Sequence, residues 1–194
     1  MQIVIVVDTQ ADFMLADGAL PVGGADALAQ PMRDWLAALD PADTAGVLFT
    51  FDTHFAETYG GTAEAAQFPL HCVRGSAGWG NLLDPALVPD PIPTWRLEKG
   101  VFAMWEEPDL VVEPIRGAGG RIARDAYFAD LRAAGVTRAT VIGVAADYCV
   151  KWALDGLVAR GFAVTVPAHL TRGIVRQIDA VVAEDFADGS VAIA

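Results

Sequence analysis

Apolar residues follow two rhythms along this chain. Apolar runs form the first: Ile3–Val7, Gly46–Phe51, Thr137–Val144, Phe162–Val166 and Val191–Ala194, with Thr94–Leu97, interrupted by Arg96, as a sixth candidate. They do not alternate polar with apolar positions, so they predict strands covered on both faces, as in a parallel sheet. The second rhythm is helical. Leu28, Met32, Trp35, Leu36 and Leu39 recur at that spacing, with Pro31 early enough to start or kink the helix. Phe128, Leu131 and Arg132 precede Gly135. Val150, Leu154, Leu157 and Val158 precede Gly161, and Ile174, Ile178, Val181 and Val182 form a last apolar face. A glycine just past such a face is placed to end the helix.

Strands alternating with helices predict a doubly wound α/β sheet of six mostly parallel strands, with helices on both faces in three layers. At 194 residues the chain is expected to be one domain, 1–194. In such sheets ligands bind outside the carboxyl ends of the strands. Asp8, Asp52, the 145–149 segment and Lys99 each follow a strand, so they are expected to be neighbours. Thr53–Pro93 is the long irregular part, and a loop of that length is usually functional.

Composition narrows the classes. The chain is 54% hydrophobic, which excludes a disordered chain. Its formal net charge is −12 and it lacks the basic footprint of a nucleic-acid binder or an anionic-membrane binder. No apolar stretch of about 18 residues offers a membrane span, and Met1–Val7 lacks the basic start of a signal peptide. Two cysteines, Cys72 and Cys149, are too few for a disulfide framework. A cytoplasmic, reduced location is expected.

Cys149 sits in Gly143–Val150, where a strand gives way to a helix. A thiol there feels the positive end of the helix dipole, which favours thiolate, and free backbone N–H groups can hold an oxyanion. As a lone residue it reads equally as a small buried hydrophobe. Asp8, facing the same crevice, can take the thiol proton and return it to a leaving group. Lys99 adds a cation that would lower the thiol pKa and orient the substrate. Asp12 reads as a cap.

Asp52 and His54 lie two apart, which on extended backbone puts them on one side. With His71 returned by the loop, they would make a site of two imidazoles and one carboxylate, suited to Zn²⁺, Fe²⁺ or Mn²⁺. The bland alternative is a pair of surface histidines. His169 has no matching partner and reads as structural. Phe13, Phe51, Phe55, Phe68, Trp79, Trp95, Phe102 and Trp105 are mostly expected in the core, with one or two free to sandwich a flat ring. Gly60-Gly61 and Gly75–Gly80 lack the order of a phosphate-binding loop.

In this order the motifs resemble those of the isochorismatase-like cysteine hydrolases, most of all the nicotinamidase/pyrazinamidase branch. Val7–Phe13 resembles the opening D-x-Q-x-D-F element, and Phe51–His54 the D-x-H metal element. Phe68–Ser76 resembles W-P-x-H-C-x-x-G-T, Lys99-Gly100 the K-G element, and Gly143–Val150 the nucleophile element G-V-A-T-D-Y-C-V. The resemblance implies that family's α/β fold and a triad of Asp8, Lys99 and Cys149. It implies one divalent metal, zinc first, on Asp52, His54 and His71, with waters completing the set. It implies an oxyanion hole from the N–H groups of Ala145 and Cys149, a cis bond between Val144 and Ala145, and Phe13 and Phe68 flanking the substrate ring. The implied reaction is nicotinamide hydrolysis to nicotinate and ammonia through a Cys149 thioester. The implied partner is a small-molecule amide, in a homo-oligomeric enzyme of pyridine nucleotide salvage. Departures are Thr53 and Phe68 in place of tryptophans, Ala146 and Ser76 in place of threonines, and an atypical segment over 101–107. They leave open another small amide or carbamoyl compound, keeping every residue role. An isochorismatase-type hydrolase, a two-histidine oxygenase and a non-catalytic binding protein are the further alternatives.

Overall fold

The computed structural model describes residues 1–194. One sheet runs through the chain. Its strands are β1 (Gln2–Val7), β2 (Thr44–Asp52), β3 (Thr94–Lys99), β4 (Val111–Arg116), β5 (Ile122–Ala123), β6 (Arg138–Val144), β7 (Ala163–Val166), β8 (Thr171–Arg172) and β9 (Val191–Ile193). The spatial order is β5-β4-β3-β2-β1-β6-β7-β9, with β8 pairing to β6. The six apolar runs became β1, β2, β3, β6, β7 and β9, all joined in parallel.

The sheet has nine strands rather than six. The additions are the two-residue β8 and the antiparallel extension β4–β5 at the β3 edge. Their residues explain why no apolar run announced them. β4 reads Val-Val-Glu-Pro-Ile-Arg, and its Pro114 is tolerable only near an edge.

Successive residues of β1 feed opposite layers. Ile3, Ile5 and Val7 pack with residues of α4 (Arg124–Ala133), α5 (Lys151–Ala159) and α6 (Ile178–Asp185). Val4 and Val6 pack with Met32 and Leu36 of α2 (Ala29–Ala37) and with Leu83, Val88 and Ile92 of the long loop. This alternation makes the three layers. Pro31 is the third residue of α2, in the first turn, where a missing N–H leaves no helical bond unmade. Gly135 and Gly161 take φ of 82° and 78° just past α4 and α5, the left-handed end of a helix. Ile174 falls outside α6, in the loop before it, so its apolar face is spent elsewhere. A short helix α1 spans Ala11–Met14, and the 53–93 stretch holds only short helical turns, including α3 (Ala56–Tyr59). No helix is long and apolar enough to cross a membrane.

Candidate active site and metal centre

Three adjacent parallel strands deliver three charged residues to one end of the sheet. Asp8 follows β1, Asp52 ends β2, and Lys99 ends β3 directly across from Asp52. Asp8 takes a φ of 47°, a left-handed conformation that aspartate tolerates better than most residues. The Thr50 hydroxyl donates to Asp8 Oδ1 at 2.6 Å and accepts the Asp8 N–H at 3.2 Å, so one hydroxyl fixes both the carboxylate and its backbone.

β6 supplies the fourth member. It ends at Val144, and the Val144–Ala145 peptide is cis. Ala146–Val150 then makes a wide turn in which Ala145 O accepts from the N–H groups of Tyr148 and Val150. This turn puts Cys149 at the head of α5. Gly143 makes the approach possible. Its φ is 124°, and a Cβ there would lie 2.1 Å from Val7 O.

Lys99 Nζ lies 2.8 Å from Asp8 Oδ2, 3.2 Å from Asp52 Oδ1 and 3.5 Å from Cys149 Sγ. All four residues are buried. Burial works against the Lys99 ammonium, but Asp52, Asp8 and the sulfur outweigh it and hold its pKa well above the ordinary value. Lys99 lowers the thiol pKa as expected, but it is outweighed. Burial pushes Cys149 well above the ordinary value, with Asp8 and Asp52 adding to it, and Lys99 offsets only part. The resting group is a thiol, and ionisation awaits a proton acceptor.

Next to this set, His54 and His71 converge on Asp52. Each Nε2 is 3.0 Å from Asp52 Oδ2, the oxygen that Lys99 does not hold. Both histidines are buried rather than on the surface. Glu64 joins them, 3.3 Å from His71 Nε2 and 3.6 Å from His54 Nε2. The sequence reading missed Glu64. It stands in the plain stretch Ala63-Glu64-Ala65-Ala66, and only the path of the loop brings it inward. One ligand atom from each of Asp52, His54, Glu64 and His71 lies within 4.8 Å of the others.

The donor set fits a divalent cation. His71 Nδ1 faces Pro69 O at 2.7 Å, which leaves the Nε2 lone pair for the cluster. Both Glu64 oxygens are enclosed without a well-formed hydrogen bond. Two carboxylates and two imidazoles facing one point need positive charge between them. Without a metal, protons fill that role. Burial lowers the imidazole pKa values, but Asp52 and Glu64 overcome it and raise His54 to about 9 and His71 to about 10. Burial likewise opposes ionisation of Asp52, and Lys99 with the imidazoles holds it far below the carboxylate range.

Asp52 therefore belongs to both groups. Gln10 fixes its backbone: Asp52 N–H donates to Gln10 Oε1 at 2.7 Å, and Gln10 Nε2 donates to Asp52 O at 2.8 Å. Asp12 ties loops together as expected of a structural residue, accepting from Cys72 N at 2.7 Å and Ala19 N at 3.0 Å. Both cysteines are free thiols, and His169 is exposed, apart from the cluster.

A cavity of about 20 Å³ separates Cys149 from the metal-type cluster, room for roughly one water. Phe13 and Phe68 both line it, with Phe102, Tyr148, Ala145 and Ile174. Phe13 lies 5.1 Å from the His71 ring. Phe68, Phe102 and Tyr148 contact one another at 5.3–5.8 Å and cover the rest. The atypical 101–107 segment thus supplies one wall. Arg124 pins it, donating to the carbonyl oxygens of Met104 and Glu107, while Gly100 N–H donates to Glu107 Oε2 at 2.7 Å.

No protein-family model matches the chain. It is 29% identical to the nicotinamidase/pyrazinamidase of Mycobacterium tuberculosis, over 98% of this chain and 97% of that protein. The crystal structure of a pyrazinamidase of Pyrococcus horikoshii in complex with zinc superposes with a TM-score of 0.71 at 27% identity, covering 100% of this chain and 98% of that one. An isochorismatase-like hydrolase from Alkaliphilus metalliredigens gives 0.69 at 19% identity, with 99% and 93% covered. Its fold is the one these hydrolases share. In sequence it is similar to the nicotinamidase/pyrazinamidase branch of that superfamily.

Proposed function

We propose that the protein is a metal-dependent cysteine amidohydrolase, and that it converts nicotinamide and water to nicotinate and ammonia. One observation carries the reading: Asp8, Lys99 and Cys149 meet beside a two-histidine, two-carboxylate cluster, with Asp52 common to both. The name of the Mycobacterium tuberculosis relative supports the substrate.

In this mechanism the substrate ring lies between Phe13 and Phe68, its amide carbon beside Cys149 Sγ. Asp8 accepts the thiol proton as sulfur attacks the amide carbon. The N–H groups of Ala145 and Cys149 hold the oxyanion, a kind of contact whose loss typically costs about 10²–10³ in rate. The oxyanion collapses, the C–N bond breaks, and Asp8 returns its proton to the departing ammonia. Water then attacks the thioester, Asp8 takes its proton, and the sulfur leaves as thiol with that proton restored. Lys99 pairs with Asp8 at 2.8 Å and compensates charge on sulfur. A divalent metal held by Asp52, His54, Glu64 and His71, for which we propose zinc, would supply a Lewis-acidic point that orients the substrate. Phe68, Phe102 and Tyr148 must shift to admit a pyridine amide, because the closed cavity is far smaller than the ring.

We also read the protein as a cytoplasmic homo-oligomer that supplies nicotinate for nucleotide salvage. Two free thiols and the exposed apolar Leu15, Ile174 and Val175 support this.

The test is ammonia release from nicotinamide by the metal-loaded protein and by Cys149→Ala. Turnover that falls at least about 10³-fold in the variant, with folding and metal content kept, is expected. Full activity in Cys149→Ala would remove the nucleophile. Bound metal with no turnover of nicotinamide would discard that substrate in favour of another small amide.

A further inference from the structure

On the helical layer of α4 and α5 lies a second cavity, about 480 Å³, lined by Asp125, Phe128, Ala129, Arg132, Ala159 and Arg160. The chain has 25 acidic and 13 basic residues, so gathered cations are unusual in it. Here three guanidinium groups gather around one carboxylate, and only two of them pair with it. Arg124 lies 3.1 Å and Arg160 2.9 Å from Asp125, which holds that carboxyl below its ordinary pKa and keeps it ionised. Arg132 is left over. Alone among the arginines it makes neither a hydrogen bond nor an ion pair. Its guanidinium lies over the Phe162 ring at 5.3 Å, and its Nη1 is enclosed with no acceptor. Enclosed donors are almost always paired.

Arg160 is held in place. Its guanidinium lies over Trp105, 3.9 Å from the ring centroid, and Nη1 donates to Gly156 O at 3.2 Å. Ala129 and Ala159 keep the floor open, and Phe128 offers an apolar surface beside it. Net positive charge, planar forks and open space together suit a tetrahedral dianion.

We propose that this groove binds the phosphate group of a small molecule, inorganic phosphate or a phosphate ester, between Arg132 and Arg160. Arg132 turns from its unpaired position to meet the anion. Asp125 stays with Arg124 and Arg160 and lets only a group that outcompetes it enter.

Isothermal titration of the metal-loaded protein with inorganic phosphate, in chloride buffer at fixed ionic strength, tests the assignment. Saturable binding with a Kd on the order of 1 mM is expected, weakened about tenfold or more in Arg132→Gln. Ala159→Glu, which puts a carboxylate in the groove, is expected to abolish it. Ala159 is exposed and Arg132 half-buried, and circular dichroism melting checks that each variant folds. Phenyl phosphate run in parallel separates the sources: tighter binding than inorganic phosphate marks an ester that uses Phe128, and equal binding marks the free ion. Absence of saturable heat in the wild type would overturn the proposal. So would a Kd unchanged in Arg132→Gln, or binding that disappears when the metal is chelated, since that phosphate would sit on the metal cluster.

Discussion

The chemistry of single residues here is set by what lies around them. Cys149 was expected to be an easy thiolate from its place at a helix start beside Lys99. Burial wins instead, because removing the ionised sulfur from water costs more than one ammonium at 3.5 Å returns. Alkylation of Cys149 in metal-free protein should therefore show a pH inflection above 9, the ordinary value, with Cys149→Ala as the blank. An inflection near neutrality would contradict the burial argument. Glu64 makes the complementary case. Glu64→Gln keeps shape and removes a charged ligand, and chelator competition should show metal affinity down about 100-fold or more. Unchanged affinity would take Glu64 out of the cluster. The motifs pointed to Asp8, Lys99, Cys149, Asp52, His54 and His71, but Glu64 and Thr50 carry no local signature. Their roles exist only through space, 3.3 Å from His71 and 2.6 Å from Asp8.

At the scale of elements, the site depends on how close β1 and β6 come at their carboxyl ends. Val7 pairs with Gly143, and the space between them has no room for a methyl group. Gly143→Ala adds that methyl at a φ of 124°, and it should cost about 3 kcal/mol or more, read as a lowered denaturation midpoint. A midpoint within about 0.5 kcal/mol of the wild type would mean the strands can part there. The central strands were readable because each is buried on both faces and so must be apolar throughout. β4, β5 and β8 were not readable: β5 and β8 are two residues each, and β4, one strand in from the edge, breaks its apolar run with Glu113, Pro114 and Arg116 and buries only Val112 fully. Ile174 shows the same limit from the helical side. Its spacing fits α6, yet the chain holds it in the preceding loop: Asp147 accepts from the N–H groups of Ile174, Val175 and Arg176, and Ile174 lines the catalytic cavity instead.

For the whole molecule, a metal bound as proposed would compete with protons for the same four side chains. In metal-free protein His54 and His71 have pKa values raised to about 9 and about 10, above 6.5 when unfolded. A raised folded pKa stabilises fully below the unfolded value and is lost as pH climbs through the folded one. The metal-free protein should therefore lose thermal stability between pH 6.5 and 10, and metal binding should restore most at the alkaline end, where no protons need displacing. A paired His54→Gln, His71→Gln variant should lack that slope, which separates it from the self-repulsion of a chain of net charge −12. A slope retained in the variant would trace it to other groups. Taken by itself, the sequence determined the order of apolar runs and the residue that follows each one, and so the sheet, its three layers and the end at which Asp8, Asp52, Lys99 and Cys149 meet. Those are consequences of periodicity and of chain direction, which are local. Only the tertiary structure decided the fourth metal ligand, the protonation of the thiol, the closed aromatic cavity and the unpaired Arg132. Each of these depends on burial and on distances between residues far apart in the chain, and no local pattern encodes them.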